Sequence, residues 1–246
     1  MRPTILTFTD NSELSHTAAD LVTSAAQNAI ATHDHFYLAI SGGGTPKPLF
    51  KLLAQSPYSE KISWKKTFVF WADERCVPPE DKGSNYRLAK ETFLDEVPIP
   101  AENIIRVKGE LEPQAAADDY TQQLAQFGTE YRPWPILDLA VLGMGSDGHT
   151  ASLFPGSPLQ HTHPAVAVTA DYDGRPANRV TLTAEVFNTA AQIIFLVTGA
   201  NKADTLAAII EGPPKLEQLP AQRIQPNTGH LTWLIDEAAA QKLTHI

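Results

Sequence analysis

The sequence predicts an α/β fold of three layers, a mostly parallel sheet with helices on both faces, and three features carry that expectation. Mostly apolar runs of strand length occur at FYLAI (36–40), TFVFWA (67–72), ILDLAVLG (136–143), QIIFLVTG (192–199) and LTWLID (231–236). They are filled rather than alternating, as strands buried on both faces are. Helical stretches separate them, and that alternation belongs to a parallel sheet covered on both sides.

The elements follow in order. TILTF (4–8) reads as a short strand, and from Ser12 the apolar residues Leu14, Ala18, Leu21, Val22, Ala25 and Ala29 fall on one helix face, with Ser12 or Asn11 as the N-cap. Strand 36–40 runs into Ser41-Gly-Gly-Gly-Thr-Pro and a helix over 46–54, with Pro46 in the first turn, where proline is tolerated. Strand 67–72 leads into Asp73-Glu74-Arg75, read as a charged turn, and a helix follows over about 85–94. A helix over 113–126 precedes strand 136–143, strand 192–199 precedes a helix over 200–211, and strand 231–236 precedes a last helix. Residues 155–182 read as short strands and turns, and 212–226, with Pro213, Pro214, Pro220 and Pro226, as an aperiodic excursion. Residues 1–246 are expected to form one domain, without repeats.

Acidic side chains outnumber basic ones 28 to 19, for a formal charge of −9, with no basic stripe of the kind that binds nucleic acid. No apolar run approaches the roughly 20 residues that cross a bilayer, and MRPTILTFTD lacks the apolar core of a secretory leader. One cysteine, Cys76, excludes an internal disulfide and is expected to pack in its turn rather than react. The expectation is a cytoplasmic enzyme, monomeric or weakly dimeric. An anionic ligand would have to be met by a local gathering of cations against a repulsive overall field, so each Arg or Lys beside a glycine loop warrants inspection.

In parallel sheets ligands bind beyond the carboxyl ends of the strands, and four segments leave strands into loops rich in glycine or charge: 41–45, 73–75, 143–149 and 198–202. Three glycines between Ser41 and Thr45 exceed what a turn requires and can bring backbone N–H groups and the Thr45 hydroxyl to an anion. The spacing is not that of a Walker loop. Asp73 and Arg75 suit sugar hydroxyls and substrate charge, although the same triplet is equally a solvated turn with a surface ion pair. Ser84 reads as an ordinary helix cap ahead of Arg87.

Gly143-Met-Gly-Ser-Asp-Gly satisfies GxGxxG, but Leu153-Phe-Pro-Gly-Ser-Pro stops any helix within about a turn, which argues against a dinucleotide site. What remains is Asp147 and His149 on a glycine-rich loop, a general base with a partner to orient it. Arg179 alone reads as a surface charge, and Lys202 stands at a helix start, where an anion would offset its conflict with the dipole. His33, His35, His161 and His163 lie in polar stretches without a matching carboxylate set and read as solvated; no metal site or cofactor is expected.

SGGGTPKPLF, FWADERCVPPEDKGSNYR, LAVLGMGSDGHTASLFPGS, NRVTLT, VTGANKADTL and LTWLIDEAAA together resemble the 6-phosphogluconolactonase family, in order along nearly the whole chain. The resemblance implies a modified Rossmann-like fold shared with glucosamine-6-phosphate deaminase/isomerase. It also implies hydrolysis of 6-phospho-D-glucono-1,5-lactone to 6-phosphogluconate, the second step of the oxidative pentose phosphate pathway. The deaminases follow a similar DGH with a run whose glutamate joins a proton relay; here Phe154 stands in that place.

On this reading His149 is the general base and then the proton donor to the ring oxygen, and Asp147 and Asp73 hold hydroxyls or the base. Arg75 stabilises the oxyanion or the product carboxylate. The loop Gly43-Gly44-Thr45 with Arg179 and Lys202 holds phosphate, and Ser41 and Gly145 add to the substrate-binding surface. A non-catalytic sugar-phosphate sensor and a nicotinamide oxidoreductase are the rival classes.

Overall fold

In the computed structural model, described over residues 3–244, ten strands form two sheets. Seven make a wholly parallel sheet in the order β1-β10-β9-β6-β2-β3-β5. They are β1 (Thr4–Phe8), β2 (Phe36–Ile40), β3 (Thr67–Trp71), β5 (Ile104–Ile105), β6 (Leu139–Gly143), β9 (Gln192–Val197) and β10 (His230–Asp236). The chain builds outward from β2 to β3 and β5, then returns to lay β6 on the other side of β2 and continues to β9 and β10. The direction reverses between β2 and β6, where an open α/β sheet leaves a crevice.

Helices cover the sheet: α1 (Asn11–His33), α2 (Lys47–Leu53), α3 (Tyr58–Lys61), α4 (Asn85–Ala89), α5 (Pro113–Ala125), α6 (Ala184–Phe187), α7 (Ala203–Ile210) and α8 (Glu237–Ala240). The filled strands become the core they promised. Phe36, Phe70, Trp71 and Phe195 are fully buried, and Phe195 stacks on Trp233 of the neighbouring strand at 4.0 Å. Each such side chain contributes about 1.5–3 kcal/mol on burial.

The first helix begins one residue earlier than expected. Asp10 is its N-cap, accepting from the N–H groups of Ser12 (2.8 Å) and Glu13 (2.9 Å), so neither Asn11 nor Ser12 caps it. The stretch expected as one helix over 85–94 is α4 followed by a π-helical turn, Lys90–Leu94. Residues 200–202 form a 3-10 turn ahead of α7, and the proline-rich excursion contains another at Pro220–Arg223.

The larger departure is a second, antiparallel sheet, β4-β8-β7, of Asp73–Arg75, Asn178–Leu182 and Ala165–Thr169. Asp73–Arg75 is therefore a strand and not a turn. Nothing local makes it one: three polar residues carry no pattern, and the pairing comes entirely from β8, more than a hundred residues later. Nor is it a solvated ion pair, since Asp73 is 5% and Glu74 2% exposed. Met1 and Arg2, part of the N-terminal stretch inspected for a leader, lie outside the described residues. Among those described, no helix is long and apolar enough to cross a membrane.

Candidate active site

The four loops singled out in the sequence leave four strands that lie side by side, β9, β6, β2 and β3. Their ends, with one side of the second sheet, enclose a cleft of about 480 Å³. Of the candidate residues, Ser41, Gly43, Gly44, Thr45, Asp73, Arg75, Gly145, His149, Arg179 and Lys202 line it. Asp147 does not, but stands directly behind His149.

His149 is fixed by its neighbours. Its Nδ1 is 2.6 Å from Asp147 Oδ1, and that same oxygen accepts the His149 backbone N–H at 3.1 Å. Burial tends to raise the Asp147 carboxyl, but the hydrogen bonds and charge of His149 outweigh it and hold the group below its ordinary value. An ionised Asp147 only accepts, so Nδ1 carries the proton and Nε2 presents its lone pair. Among the described residues no protein group hydrogen-bonds Nε2.

Phe154 lies against the imidazole (centroids 4.5 Å apart, 33° between planes) and Tyr172 meets it edge-on at 4.6 Å. The loop backbone closes through Gly145 N–H to His149 O (2.8 Å), and Gly148 takes a φ of +85°. Gly145 has no alternative, because a β-carbon there would overlap His149 Nδ1 and Asp147 Oδ1. After Gly148 the chain enters a tight turn, with Thr150 bridging to Leu153 and Ala151 at φ +49°, not a helix, so the GxGxxG match has no dinucleotide architecture behind it.

The opposite wall is cationic. Arg75 on β4 stands directly across from Arg179 on β8 in the antiparallel register, an arrangement in which like charges repel. The expectation of a surface Arg179 fails: it is 2% exposed, with its guanidinium 5.2 Å over the Phe154 ring. Burial, then the charges of Arg75 and Arg175, hold its proton affinity below the ordinary value, against the pull of Asp73. Arg179 Nε and Nη2 and Arg75 Nε are buried without a partner among the described residues. Both residues line the cleft, and guanidinium groups with unspent N–H donors suit an anion.

Asp73 is held by the Ser152 hydroxyl at 2.7 Å and by Asn85 Nδ2 at 3.4 Å. The glycine loop behaves as expected at Gly43, whose φ of +103° and open surroundings let the backbone face the cleft. The helix behind it is shorter than expected, seven residues, so its dipole adds little at the loop. Ser41 Oγ is buried without a partner, and Thr45 Oγ1 lies 3.2 Å from Thr198 Oγ1. On the far side the Gly199 N–H is held by both Asp236 oxygens at 3.0 Å, which seats the loop carrying Asn201 and Lys202.

The sequence reading missed Asn85, Tyr172, Arg175 and Asn201 on the cleft wall. Arg175 was within reach, since it follows Gly174 and an arginine beside a glycine was the stated signal. Tyr172 and Asn85 had none, because a hairpin tip and a helix start are brought in by folding alone. Ser84 does cap α4, accepting from Arg87 N–H at 3.1 Å. Arg87 itself points away, to Glu91 and the Glu80 carbonyl.

Of the histidine expectations, His33 is exposed as expected yet has a carboxylate partner, its Nε2 lying 2.9 Å from Asp138, whereas His161 is not solvated: its side chain is largely buried, with Nδ1 3.8 Å from Glu185. Cys76 is half-buried, and burial pushes its thiol up to about 11, which fits a packed, unreactive side chain. No group of three or more potential metal ligands exists among the described residues.

Comparison with known proteins gives a concordant picture. Residues 9–233 match the family model described as glucosamine-6-phosphate isomerases/6-phosphogluconolactonase. A 6-phosphogluconolactonase of Nostoc sp. is 38% identical over 99% of this chain and 100% of its own length. One from Haemophilus influenzae is 40% identical over 84% of this chain and 87% of its own. The solved structure of the Trypanosoma brucei 6-phosphogluconolactonase superposes with a TM-score of 0.87 at 27% identity, covering 99% of both chains.

Proposed function

The chain belongs to the glucosamine-6-phosphate isomerase/6-phosphogluconolactonase family, and from that premise we propose that it hydrolyses 6-phospho-D-glucono-1,5-lactone to 6-phosphogluconate with His149 as general base. The observation that carries the residue assignment is the His149–Asp147 pair, which leaves Nε2 as an open acceptor opposite buried guanidinium donors without partners.

In the proposed reaction His149 Nε2 takes a proton from water as its oxygen bonds to the lactone carbonyl carbon. Charge then grows on the carbonyl oxygen, where Arg75 N–H groups are available to meet it. The tetrahedral centre collapses by breaking the bond to the ring oxygen, which receives the proton from His149. Neutral imidazole is regenerated, and the product acid ionises to solvent. Asp147 holds the imidazole tautomer throughout and Asp73 takes sugar hydroxyls. The phosphate lies between the Gly43–Thr45 loop, Arg179 and Lys202, with Ser41 and Gly145 completing the surface.

Phe154 favours hydrolysis over the deaminase chemistry of the same family. It sets an apolar ring against the imidazole where a relay carboxylate would be required. The reading places the enzyme in the cytoplasm and in the oxidative pentose phosphate pathway, as one domain, a monomer or weak homodimer, without cofactor, metal or nucleic-acid partner.

The test is hydrolysis of freshly generated lactone, read by coupling 6-phosphogluconate to its dehydrogenase. The wild-type protein is expected to exceed spontaneous opening by a wide margin, and His149→Ala to remove about 10²–10⁴-fold of that rate. A wild-type rate equal to buffer defeats the lactonase reading; full activity in His149→Ala defeats the base assignment.

A further inference from the structure

Arg75 and Asn85 face the cleft from two different elements, β4 and α4, and something must hold that corner at a fixed angle. Behind it lies Glu74, buried and outside the cleft lining. Its carboxylate accepts four hydrogen bonds. Oε1 takes the backbone N–H of Arg75 and of Asn85, each at 2.7 Å; Oε2 takes the N–H of Tyr86 at 2.7 Å and the Ser84 hydroxyl at 3.0 Å. Two of the four donors are thus the main chain of the residues whose side chains reach the cleft.

We propose that Glu74 is a positioning residue for the hydrolysis, clamping β4 to the first turn of α4 so that the Arg75 guanidinium and the Asn85 carboxamide meet the substrate at fixed places. The inference rests on the lactonase reading and deepens it.

Three features support the clamp. Three of the four partners are main-chain N–H groups that can only donate, so an amide in place of the carboxylate would set a donor against a donor. Burial nevertheless pushes the carboxyl up to about 7, against the four hydrogen bonds that lower it, a cost that filling space would not require. And Glu74 takes the first two N–H groups of α4, Asn85 and Tyr86, while Ser84 caps the next, Arg87, so the bond back to β4 runs through the helix N-terminus itself.

The corner is also closed a second time. Arg75 Nη1 donates to Gly83 O at 2.7 Å, one residue before Ser84, which leaves Arg75 Nε buried and without a partner beside the cleft. Asn85 in turn donates Nδ2 to Asp73 O at 2.8 Å, while its Oδ1 lies against Gly42, where a β-carbon would overlap it. A shift of the β4–α4 corner would therefore disturb Asp73, Arg75 and the glycine loop together.

The experiment is a pair of double-mutant cycles on the full chain, read as kcat/KM for the lactone, with circular dichroism and Tm as the check on folding. Glu74→Gln is expected to lower kcat/KM by about tenfold or more, and to add no more than about twofold in an Arg75→Ala background. Combined with Lys202→Ala, on the other side of the cleft, its effect should multiply in full. A general loosening of the fold would couple to both partners alike, and that result overturns the proposal, as does wild-type activity in Glu74→Gln.

Should Glu74→Gln fail to fold, Ser84→Ala removes one donor to the same carboxylate and is expected to show the same selective coupling to Arg75→Ala; its absence overturns the proposal equally. A wild-type protein without lactonase activity removes the functional reading and the inference with it. An active wild type with an indifferent Glu74 removes the inference alone.

Discussion

Two histidine–aspartate pairs stand at opposite ends of β6. Asp138 immediately precedes the strand and lies 2.9 Å from His33; Asp147 follows it by four residues and lies 2.6 Å from His149. By distance and residue type they are nearly the same device. Their surroundings separate them. The spare oxygen of Asp138 is taken by the Tyr37 N–H at 2.8 Å, and the rings lie in a row at a tilt, His33 against His35 and His35 against Tyr37. This pair ties α1 to the entering ends of β2 and β6 and faces no orphaned donor. At the other end, Nε2 opens into a cleft lined by Arg75 and Arg179, whose guanidinium groups keep N–H donors without a partner among the described residues. The two carboxyls respond in opposite senses: burial raises Asp138, while contact with His149 carries Asp147 down despite burial. A His–Asp pair is thus given its role by what remains unsatisfied around it.

The contrast can be broken or sharpened by measurement. The largest difference is expected between Asp147→Asn and Asp138→Asn. The first frees the imidazole to take the wrong tautomer and should approach the ~10²–10⁴-fold cost of losing a general base. The second touches no cleft residue and should leave kcat/KM within about twofold. Equal losses would mean that both pairs serve the fold and neither the chemistry.

Next is Gly145→Ala, whose β-carbon meets His149 Nδ1 and the Asp147 carboxyl. Overpacking of this kind costs about 1–3 kcal/mol of stability, and the rate should fall further than the Tm shift accounts for, because the displaced atoms are the base and its partner. Activity that survives at wild-type level would show that the imidazole tolerates displacement.

The smallest effect is one of sign. Asp147, with its folded-state pKa lowered, adds stability that is present above its unfolded value, near 3.8, and lost as pH falls through the folded value. Asp138, raised, contributes below that unfolded value and loses the contribution as pH rises through its folded one. In urea titrations across pH 3–7, the stability of wild type relative to Asp147→Asn should grow with pH, and relative to Asp138→Asn should shrink. Slopes of one sign would contradict the opposite placement of the two carboxyls.

The same pairs mark what was legible in the chain. Asp147 and His149 are two residues apart, and one loop fixes both, so spacing alone found them. His33 and Asp138 are 105 residues apart, and no periodicity reports a meeting between the end of a helix and the start of a distant strand; His33 therefore read as solvated. The filled strands were visible because burial on both faces writes itself into composition, as at 36–40 and 67–71. β4 was not, because three polar residues become a strand only when β8 arrives beside them. Arg179 follows the same rule: on its own strand it is a lone charge at one end, and only the pairing with β4 places it inside. The loops that leave the parallel strands were readable as a set, whereas the wall contributed by the second sheet and the hairpin tip carrying Tyr172 was not.

Phe154 closes one face of His149, Tyr172 one edge, and Asp147 one nitrogen. The imidazole is left with a single port. In the proposed reaction a proton taken there from water leaves by the same atom, onto the ring oxygen, and the base is reset within each turnover. Such a port suits reactions that return the proton they take, as the opening of an ester by water does.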